Sequence, residues 1–489
     1  MKKYSLEIAV FMGGAIVMVY ELVGSRILAP YVGTSTFVWT SLIGVILASL
    51  SLGYWLGGKL ADEEPNLSNF SWLLFFSSVL IFLTWMFKET ILDMTSIIVD
   101  NRWRALISAI ILFVPASFFL GMLSPYAVRL KLDNIKVSGK TVGNLYALST
   151  LGSIVGTFLA GFLLIPTLGT NQILLLLALL LSLTALLVYR GRTWWLKLSL
   201  ALLLLILLIF GVNPTVVQAA NFVDLDTQYS RVWIYDMERD GQMARVLMKD
   251  DKPQSAMYLE SNELVFFYAK FYNLAEYFVP DMKQALMIGG AAYSYPKYFL
   301  QNYPGVNLDV VEIDPKLTQL AYKYFALEDH DDLKIIHDDG RIFLNNNQKK
   351  YDVIFGDAFA SYYSVPHHLT TIEAVERIYD SLTDNGVTII NVISAIEGKT
   401  SDFFQAEYTT FNQLFERVYA FPVNYPENPA RVQNIMLVAV KGDKSFDFNS
   451  LDPEIQGMLD HLYLNPVIND ALILTDNFAP VEYYINKIQ

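Results

Sequence analysis

The chain of 489 residues contains no cysteine. That absence excludes disulfides, thiolate metal ligands and a cysteine nucleophile. Histidine is scarce too: His330, His337, His367, His368 and His461 are the whole set. None falls in an HExxH or comparable ligand spacing, so no metal site is expected. Positive charge is short in the second half. Residues 1–212 carry 14 Lys and Arg against 9 Asp and Glu, which leaves 21 against 39 for the remainder. A part so rich in acid lacks the cationic face that a nucleic-acid backbone requires, so no nucleic-acid partner is expected. It is compatible with a cationic small molecule such as a sulfonium or an amine, although acidity also serves plain solubility. A cleavable signal peptide is not expected, because the first apolar run is too long and no small-residue cleavage site follows it.

What the first half has in abundance is apolar sequence. About 20 such residues cross a bilayer. Seven segments qualify, at roughly 5–28, 36–58, 68–87, 104–125, 142–165, 171–189 and 194–212. Residues 1–212 are therefore expected to form a polytopic α-helical membrane domain of a multi-pass cell-membrane protein, with the lipid bilayer as partner. Gly152 and Gly156 stand at the four-residue spacing of a helix-packing face. Glu21 and Arg26 lie in or near the first span, where an ionisable group either faces a cavity or marks the interfacial end of the helix. Lys2, Lys3, Lys59, Arg129, Lys131, Lys136, Lys140, Arg190 and Arg192 fall on one side of a seven-span arrangement, against Lys88, Arg102 and Arg104 on the other. That bias puts the start of the chain in the cytoplasm, and an odd number of spans then puts the acidic domain outside. Adenosyl compounds, whose binding is argued below, are made in the cytoplasm. A cytoplasmic soluble domain is expected on that ground, against the charge count.

From about residue 221 the pattern alternates. Ser230–Asp236, Met243–Lys249 and Ser255–Glu260 read as short strands, giving a small β-rich domain over 213–282. Strands and helices then alternate, the sign of a parallel sheet with crossover helices. Strands are expected at Ala285–Ile288, Leu308–Ile313, Leu333–Ile336, Tyr351–Phe355 and Val387–Val392, with a final pair near 418–423 and 433–440. Residues 283–489 are thus expected to form an α/β Rossmann-like cofactor-binding domain of the methyltransferase or spermidine synthase type.

Ligands of open α/β sheets bind beyond the carboxyl ends of the strands. The first such end is Gly289-Gly290-Ala291-Ala292, where small residues let a ligand approach the backbone. A plain strand-to-helix turn would look the same. The second is VVEIDP, 310–315. Glu312 stands 22 residues beyond Gly290, near the interval of about 20 at which an acid meets ribose hydroxyls. The third is HDDGR, 337–341, where Asp339 either meets an adenine amine or caps the next helix. The fourth is YDVIFGDAF, 351–359, which puts Asp357 where a reacting group beside the cofactor would lie. Candidate cofactor-binding residues are Gly289, Gly290, Ala291, Glu312, Ile313, Asp338, Asp339 and Gly340, and the candidate catalytic residue is Asp357. Tyr229, Glu263, Tyr293, Tyr362 and Tyr363 are candidates for contacting substrate. His367-His368 is read as a loop or capping pair rather than a catalytic one.

These segments, with GVTIINV after them, resemble the spermidine synthases (polyamine aminopropyltransferases). The apolar half, with ELVGSRILAPYVGTS and SLGYWLGGKLAD, looks like the membrane-fused members of that group. The resemblance implies S-adenosylmethionine or its decarboxylated form as the adenosyl compound, held by Glu312 at the ribose and Asp339 at the adenine. Asp357 would be the carboxylate that takes the amine's proton. The departures matter as much. The family's glycine loop reads GGGDGG, and its Asp position is Ala292 here, followed by Tyr293 and Ser294. The family's second acid, in D-S-S-D-P, falls on Ala360. A family tyrosine falls on Phe266, with Glu260 and Glu263 kept, and a Tyr-Gln pair appears as Tyr229-Ser230. Residues for the adenosine remain while most of those for the amine do not. One expectation is cleavage of the sulfonium with release of methylthioadenosine, by internal closure to homoserine lactone. Ordinary aminopropyl transfer is the second. A methyltransferase on the same fold, and a transporter-like protein with a cofactor-sensing domain, are further readings. Nothing in the sequence speaks against a homo-oligomer.

Overall fold

The structure, a computed structural model, describes residues 4–33, 35–132, 138–210, 222–250, 252–358, 365–467 and 470–488. The chain divides into two compact units. Residues 1–219 and 225–231 form a helical unit, and residues 220–224 and 232–489 form an α/β unit.

Six helices of the first unit are long and apolar enough to cross a membrane: α1 (Ser5–Val32), α2 (Thr36–Glu63), α3 (Leu67–Thr95), α4 (Asn101–Lys131), α5 (Ser138–Thr167) and α6 (Thr170–Val188). The seventh expected segment is a shorter helix, α7 (Trp194–Phe210). At 17 residues it extends roughly 25 Å, just under the thickness of a hydrocarbon core. α1 packs on α5, α2 on α4, α3 on both α4 and α6, and α7 on α6. Gly152 and Gly156 face α1, where an added Cβ would collide with the carbonyl oxygens of Phe11 and Ala15. Several polar side chains inside this unit are satisfied across helices. The Tyr20 hydroxyl bonds Thr84 Oγ1 at 2.9 Å and the Leu112 carbonyl at 3.0 Å, since an orphan polar group surrounded by lipid-like packing is costly. Glu21 is half-buried. Arg26 donates to the carbonyls of Gln228 and Thr227 at 2.8 and 2.6 Å.

The chain then builds an antiparallel sheet in the order β1 (Val223–Asp226), β2 (Arg231–Arg239), β3 (Gln242–Lys249) and β4 (Lys252–Tyr258). Asp240 and Gly241, both at positive φ, close the β2–β3 hairpin in two residues. The primed turn that matches strand twist demands that geometry.

The larger sheet has seven strands. They are β5 (Gln284–Ile288), β6 (Asn307–Val311), β7 (Leu333–Ile336), β8 (Tyr351–Gly356), β9 (Leu382–Ser394), β10 (Arg417–Pro422) and β11 (Gln433–Val440), in the order β10-β11-β9-β8-β5-β6-β7. β5 pairs in parallel with both β6 and β8, and the sheet turns antiparallel only at β11 and β10. Crossover helices α8 (Ser294–Asn302), α9 (Pro315–Tyr324), α10 (Gly340–Asn346), α11 (Ile372–Ser381) and α12 (Asp402–Phe411) link the strands. Alternation along β5 sends Ala285 and Met287 into one core layer, and Leu286 and Ile288 into the other. That is the signature of a sheet covered on both faces. Strand order reverses between β5 and β8, and a ligand crevice belongs beyond their carboxyl ends.

Candidate active site

The loop after β5 is bent by three residues in the left-handed region: Gly289 (φ 96°), Ala291 (φ 47°) and Tyr293 (φ 58°). The bend turns the Tyr293 ring underneath Gly290, where an added Cβ would sit 2.8 Å from Tyr293 Cζ. The Tyr293 hydroxyl bonds Thr318 Oγ1 at 2.8 Å, and that oxygen lies 2.9 Å from His337 Nε2. Tyr293 is fully buried, so its hydroxyl is spent inside the fold and its ring forms the floor of the glycine turn.

One side of this loop is tied to the end of β6. Glu312 Oε2 accepts the backbone N–H groups of Gly290 and Ala291, both at 2.9 Å, and Oε1 accepts from Asp314 at 3.0 Å. The carboxylate thus holds the loop in shape. An ionised carboxylate offers about four acceptor positions, so three backbone bonds leave room for a ribose hydroxyl. Ile313 follows, half-buried. Asp314 caps α9 through Lys316 N, and Pro315 begins that helix. On its other side the loop meets β8: a Cβ on Gly289 would lie 3.2 Å from the Asp357 carbonyl carbon. Glu312 and Asp357 therefore flank the same turn of backbone.

Asp357 lies deep in the fold with part of its side chain still open to solvent. Tyr268 donates its hydroxyl to Oδ2 at 3.3 Å, and Asn391 on β9 donates to Oδ1 at 3.3 Å. Asn391 is itself oriented by Asn434 on β11, at 2.9 Å. Tyr272 bonds the Gly356 carbonyl at 3.0 Å. Burial pushes the Asp357 carboxyl up to about 6, against the pull of Asn391, Tyr272 and Tyr268. A carboxyl so poised is largely ionised at neutral pH yet basic enough to take a proton. Burial and the Asp357 charge both push the Tyr268 hydroxyl well above its ordinary value, so it stays a neutral donor.

Asp339 caps α10, its Oδ1 accepting from Arg341 and Ile342 N–H at 2.8 and 3.1 Å. Its Oδ2 lies 3.3 Å from His368 Nε2. Helix capping and the contact with His368 are thus divided between two oxygens of one side chain. Asp338 Oδ1 accepts from Asp339 N, and Gly340 packs on Ile288. Asp476 ion-pairs with Arg341 at 2.8 Å and accepts from Thr371, so it fixes the loop around His368. Glu263 is exposed, and Tyr229 is an exposed residue of the helical unit. Ala360, Tyr362 and Tyr363 lie outside the described residues. Ala292 is wholly buried. Phe266 stacks on Tyr268, their ring centres 6.1 Å apart.

Sequence reasoning did not single out Tyr268, Tyr272 or Asn391. Asn391 left a signal, as the one amide in the buried run GVTIINV. The two tyrosines are hidden in an aromatic-rich stretch, FFYAKFY, that reads equally well as core. Cofactor fit follows from the donor set: a shaped glycine turn, a carboxylate with acceptor capacity at the next strand end, and an acid at the third.

Residues 269–450 match the family described as "Spermine/spermidine synthase domain". The polyamine aminopropyltransferase of Vibrio vulnificus is 26% identical over 267 residues, covering 52% of this chain and 87% of that protein. A probable polyamine aminopropyl transferase of Bifidobacterium longum is 32% identical over 121 residues, a quarter of each chain (25% and 26%). Among solved structures, a probable spermidine synthase from Corynebacterium glutamicum is 23% identical, covers 47% of this chain and 83% of that one, and has a TM-score of 0.42. Residues 269–450 are thus similar to a spermine/spermidine synthase domain, and a series of apolar helices long enough to cross a membrane precedes them.

Proposed function

We propose that the α/β unit binds S-adenosylmethionine as substrate and cleaves its sulfonium, releasing methylthioadenosine as the substrate's own carboxylate closes to homoserine lactone. The observation that carries this reading is a count of charge. Ala292 is buried where the related glycine loop has an acid, and the Glu312 carboxylate is engaged by the backbone N–H groups of the loop, which leaves Asp357 as the carboxylate that can pair with an added cation. Intact S-adenosylmethionine bears a sulfonium, an ammonium and a carboxylate, and one Asp357 carboxylate balances it. The decarboxylated form bears two positive charges, and a polyamine adds more. Where one carboxylate is free of backbone bonds, the extra positive charges would be left without partners.

The step balances without an outside proton carrier. The α-carboxylate oxygen forms a bond to the γ carbon, the C–S bond breaks, and its electron pair neutralises the sulfonium sulfur. Glu312 would hold the ribose, Asp339 would reach the adenine, and Asp357 would hold the α-ammonium so that the carboxylate faces the γ carbon. Most of the acceleration would come from that positioning. Tyr268 borders Asp357, and the rings of Tyr272, Tyr295 and Phe355 pack against one another in the apolar core. Opposite charges merge in the transition state, so an environment poorer in water than bulk solvent favours it.

A second reading draws support from the same carboxyl. With its titration raised to about 6, Asp357 suits a general base that receives a proton from an attacking amine. That is aminopropyl transfer from the decarboxylated compound. Product analysis separates the two. Purified full-length protein should release methylthioadenosine from S-adenosylmethionine alone. Release only when the decarboxylated compound and an amine are supplied together would replace the first reading with the second.

A further inference from the structure

The path of the chain through the helical unit carries a consequence for where the substrate is met. Successive helices run back and forth, so Val32, Thr36, Thr95, Asn101 and Thr170 mark one end of the bundle. The other end holds Ser5, Glu63, Leu67, Lys131 and Val188. α7 starts at this second end: Lys197 donates to Ser71 Oγ at 2.6 Å, and the Lys197 carbonyl accepts from Ser182 at 2.8 Å. Ala201 and Leu204, one and two turns on, remain buried against the bundle.

Residues 225–231, which belong to this unit, sit at the first end. Arg26, near the close of α1, donates to the carbonyls of Thr227 and Gln228. Asp226 accepts the backbone N–H and hydroxyl of Thr170, the first residue of α6, at 2.7 and 2.9 Å. Arg231 pairs with Glu89, near the close of α3, at 2.8 Å. Between Lys197 and Asp226 the chain has therefore passed from one end of the bundle to the other. α7 is a seventh crossing despite its length.

We infer that the α/β unit lies on the side of the membrane opposite the Ser5 end of α1, and that this side is outside the cytoplasm. The second clause follows from charge. Lys59, Arg129, Lys131, Lys140, Arg190 and Arg192 belong to the Ser5 end, and in the sequence Lys2 and Lys3 precede Ser5 while Lys136 falls between Lys131 and Ser138, against Arg26, Lys88, Arg102 and Arg104 at the other end. Basic residues in short loops stay in the cytoplasm, while a long domain is translocated whatever its charge. The acidity of residues 213–489 is thus no obstacle. This reverses the expectation of a cytoplasmic domain, which rested on where adenosyl compounds are made. Joined to the function proposed above, it means that the site takes its sulfonium substrate from outside the cytoplasm, so an exporting step must supply it.

The complete absence of cysteine makes the test direct, because each introduced thiol is the only one in the chain. Ser445→Cys reports on the α/β unit, Ile97→Cys on the α3–α4 loop, and Glu63→Cys on the Ser5 end, all at exposed positions. Lys444→Cys and Lys140→Cys duplicate the first and last, in case a variant fails to fold. Intact cells are treated with a small charged maleimide, and the labelling is divided by that after permeabilisation. The ratio should be near one for Ser445→Cys and Ile97→Cys and near zero for Glu63→Cys. Labelling of Ser445→Cys only after permeabilisation, or equal labelling of Ser445→Cys and Glu63→Cys in intact cells, overturns the inference. Neither readout depends on catalysis, so failure here leaves the proposed chemistry standing, and the reverse holds too.

Discussion

Replacing Asp357 by Asn should stabilise the α/β unit while abolishing its activity. Burial raises the Asp357 titration from 3.8 to about 6. At about 1.4 kcal/mol per unit, holding that group ionised in the fold costs about 3 kcal/mol. The sign is set by proton uptake. Between the unfolded value of 3.8 and the folded value near 6, the folded chain binds the extra proton. Stability from this group therefore falls as pH rises through that window, then stays flat above it. Asn has nearly the same shape and can still accept from Tyr268, but its amide now meets the Asn391 amide, at a cost of about 1 kcal/mol. The net gain at pH 8 is roughly 2 kcal/mol, shrinking at pH 5, where much of the native Asp357 is already protonated. Hydrogen exchange of peptides covering β8 and β9 in the detergent-solubilised full chain would report it. Slower exchange in Asp357→Asn at pH 8, with a smaller difference at pH 5, is the expected result. Equal or faster exchange at pH 8 would refute the view that this carboxylate is held ionised at the expense of stability.

Tyr268→Phe removes a donor to the Asp357 carboxylate at 3.3 Å. A bond of that kind, worth about 1 kcal/mol, should move the acid limb of the pH–activity profile upward by roughly 0.7 unit, and an unmoved limb would show that Asp357 does not control it. Glu312→Gln leaves the loop only partly bonded, because the amide NH2 faces backbone N–H groups. Its affinity for methylthioadenosine should fall about tenfold or more by calorimetry, from the loss of at least about 1.4 kcal/mol. Gly290→Ala drives a Cβ into the Tyr293 ring and should weaken the same binding, with recovery in the double variant Gly290→Ala/Tyr293→Ala. Gly152→Leu should reduce the yield of folded protein from membranes, because α1 and α5 could no longer approach.

The strand ends were legible because their signals are local. Alternation, glycine turns and the 22-residue interval to Glu312 are written in the chain, and the sheet puts them side by side as a parallel order must. The helical spans were legible from apolar length, with α7 the marginal one. β1, the four residues VDLD, was not among the expected strands, being short and lying before the longer alternating runs. Tyr293 shows where local reading stops. As a tyrosine in a ligand loop it invites a role in binding, but a left-handed backbone swings it into the core, where its hydroxyl bonds Thr318, which in turn meets His337. Tyr268 shows the converse, an aromatic in a core-like run whose hydroxyl reaches across 89 positions to Asp357.

The same contrast explains why the Glu312 turn could be read along the chain and the surroundings of Asp357 could not. Glu312 works through backbone groups two to 22 residues away, along one β–loop–helix succession. Its environment is fixed by order along the chain. Asp357 is governed by Tyr268, Asn391 and Asn434, which come from separate elements and meet only when the sheet closes. Burial, the largest influence on its titration, is likewise a property of the closed fold. Substitutions around Asp357 can therefore change its surroundings while leaving the Glu312 turn untouched. That is the combination found here: an intact Glu312 turn beside a buried Ala292.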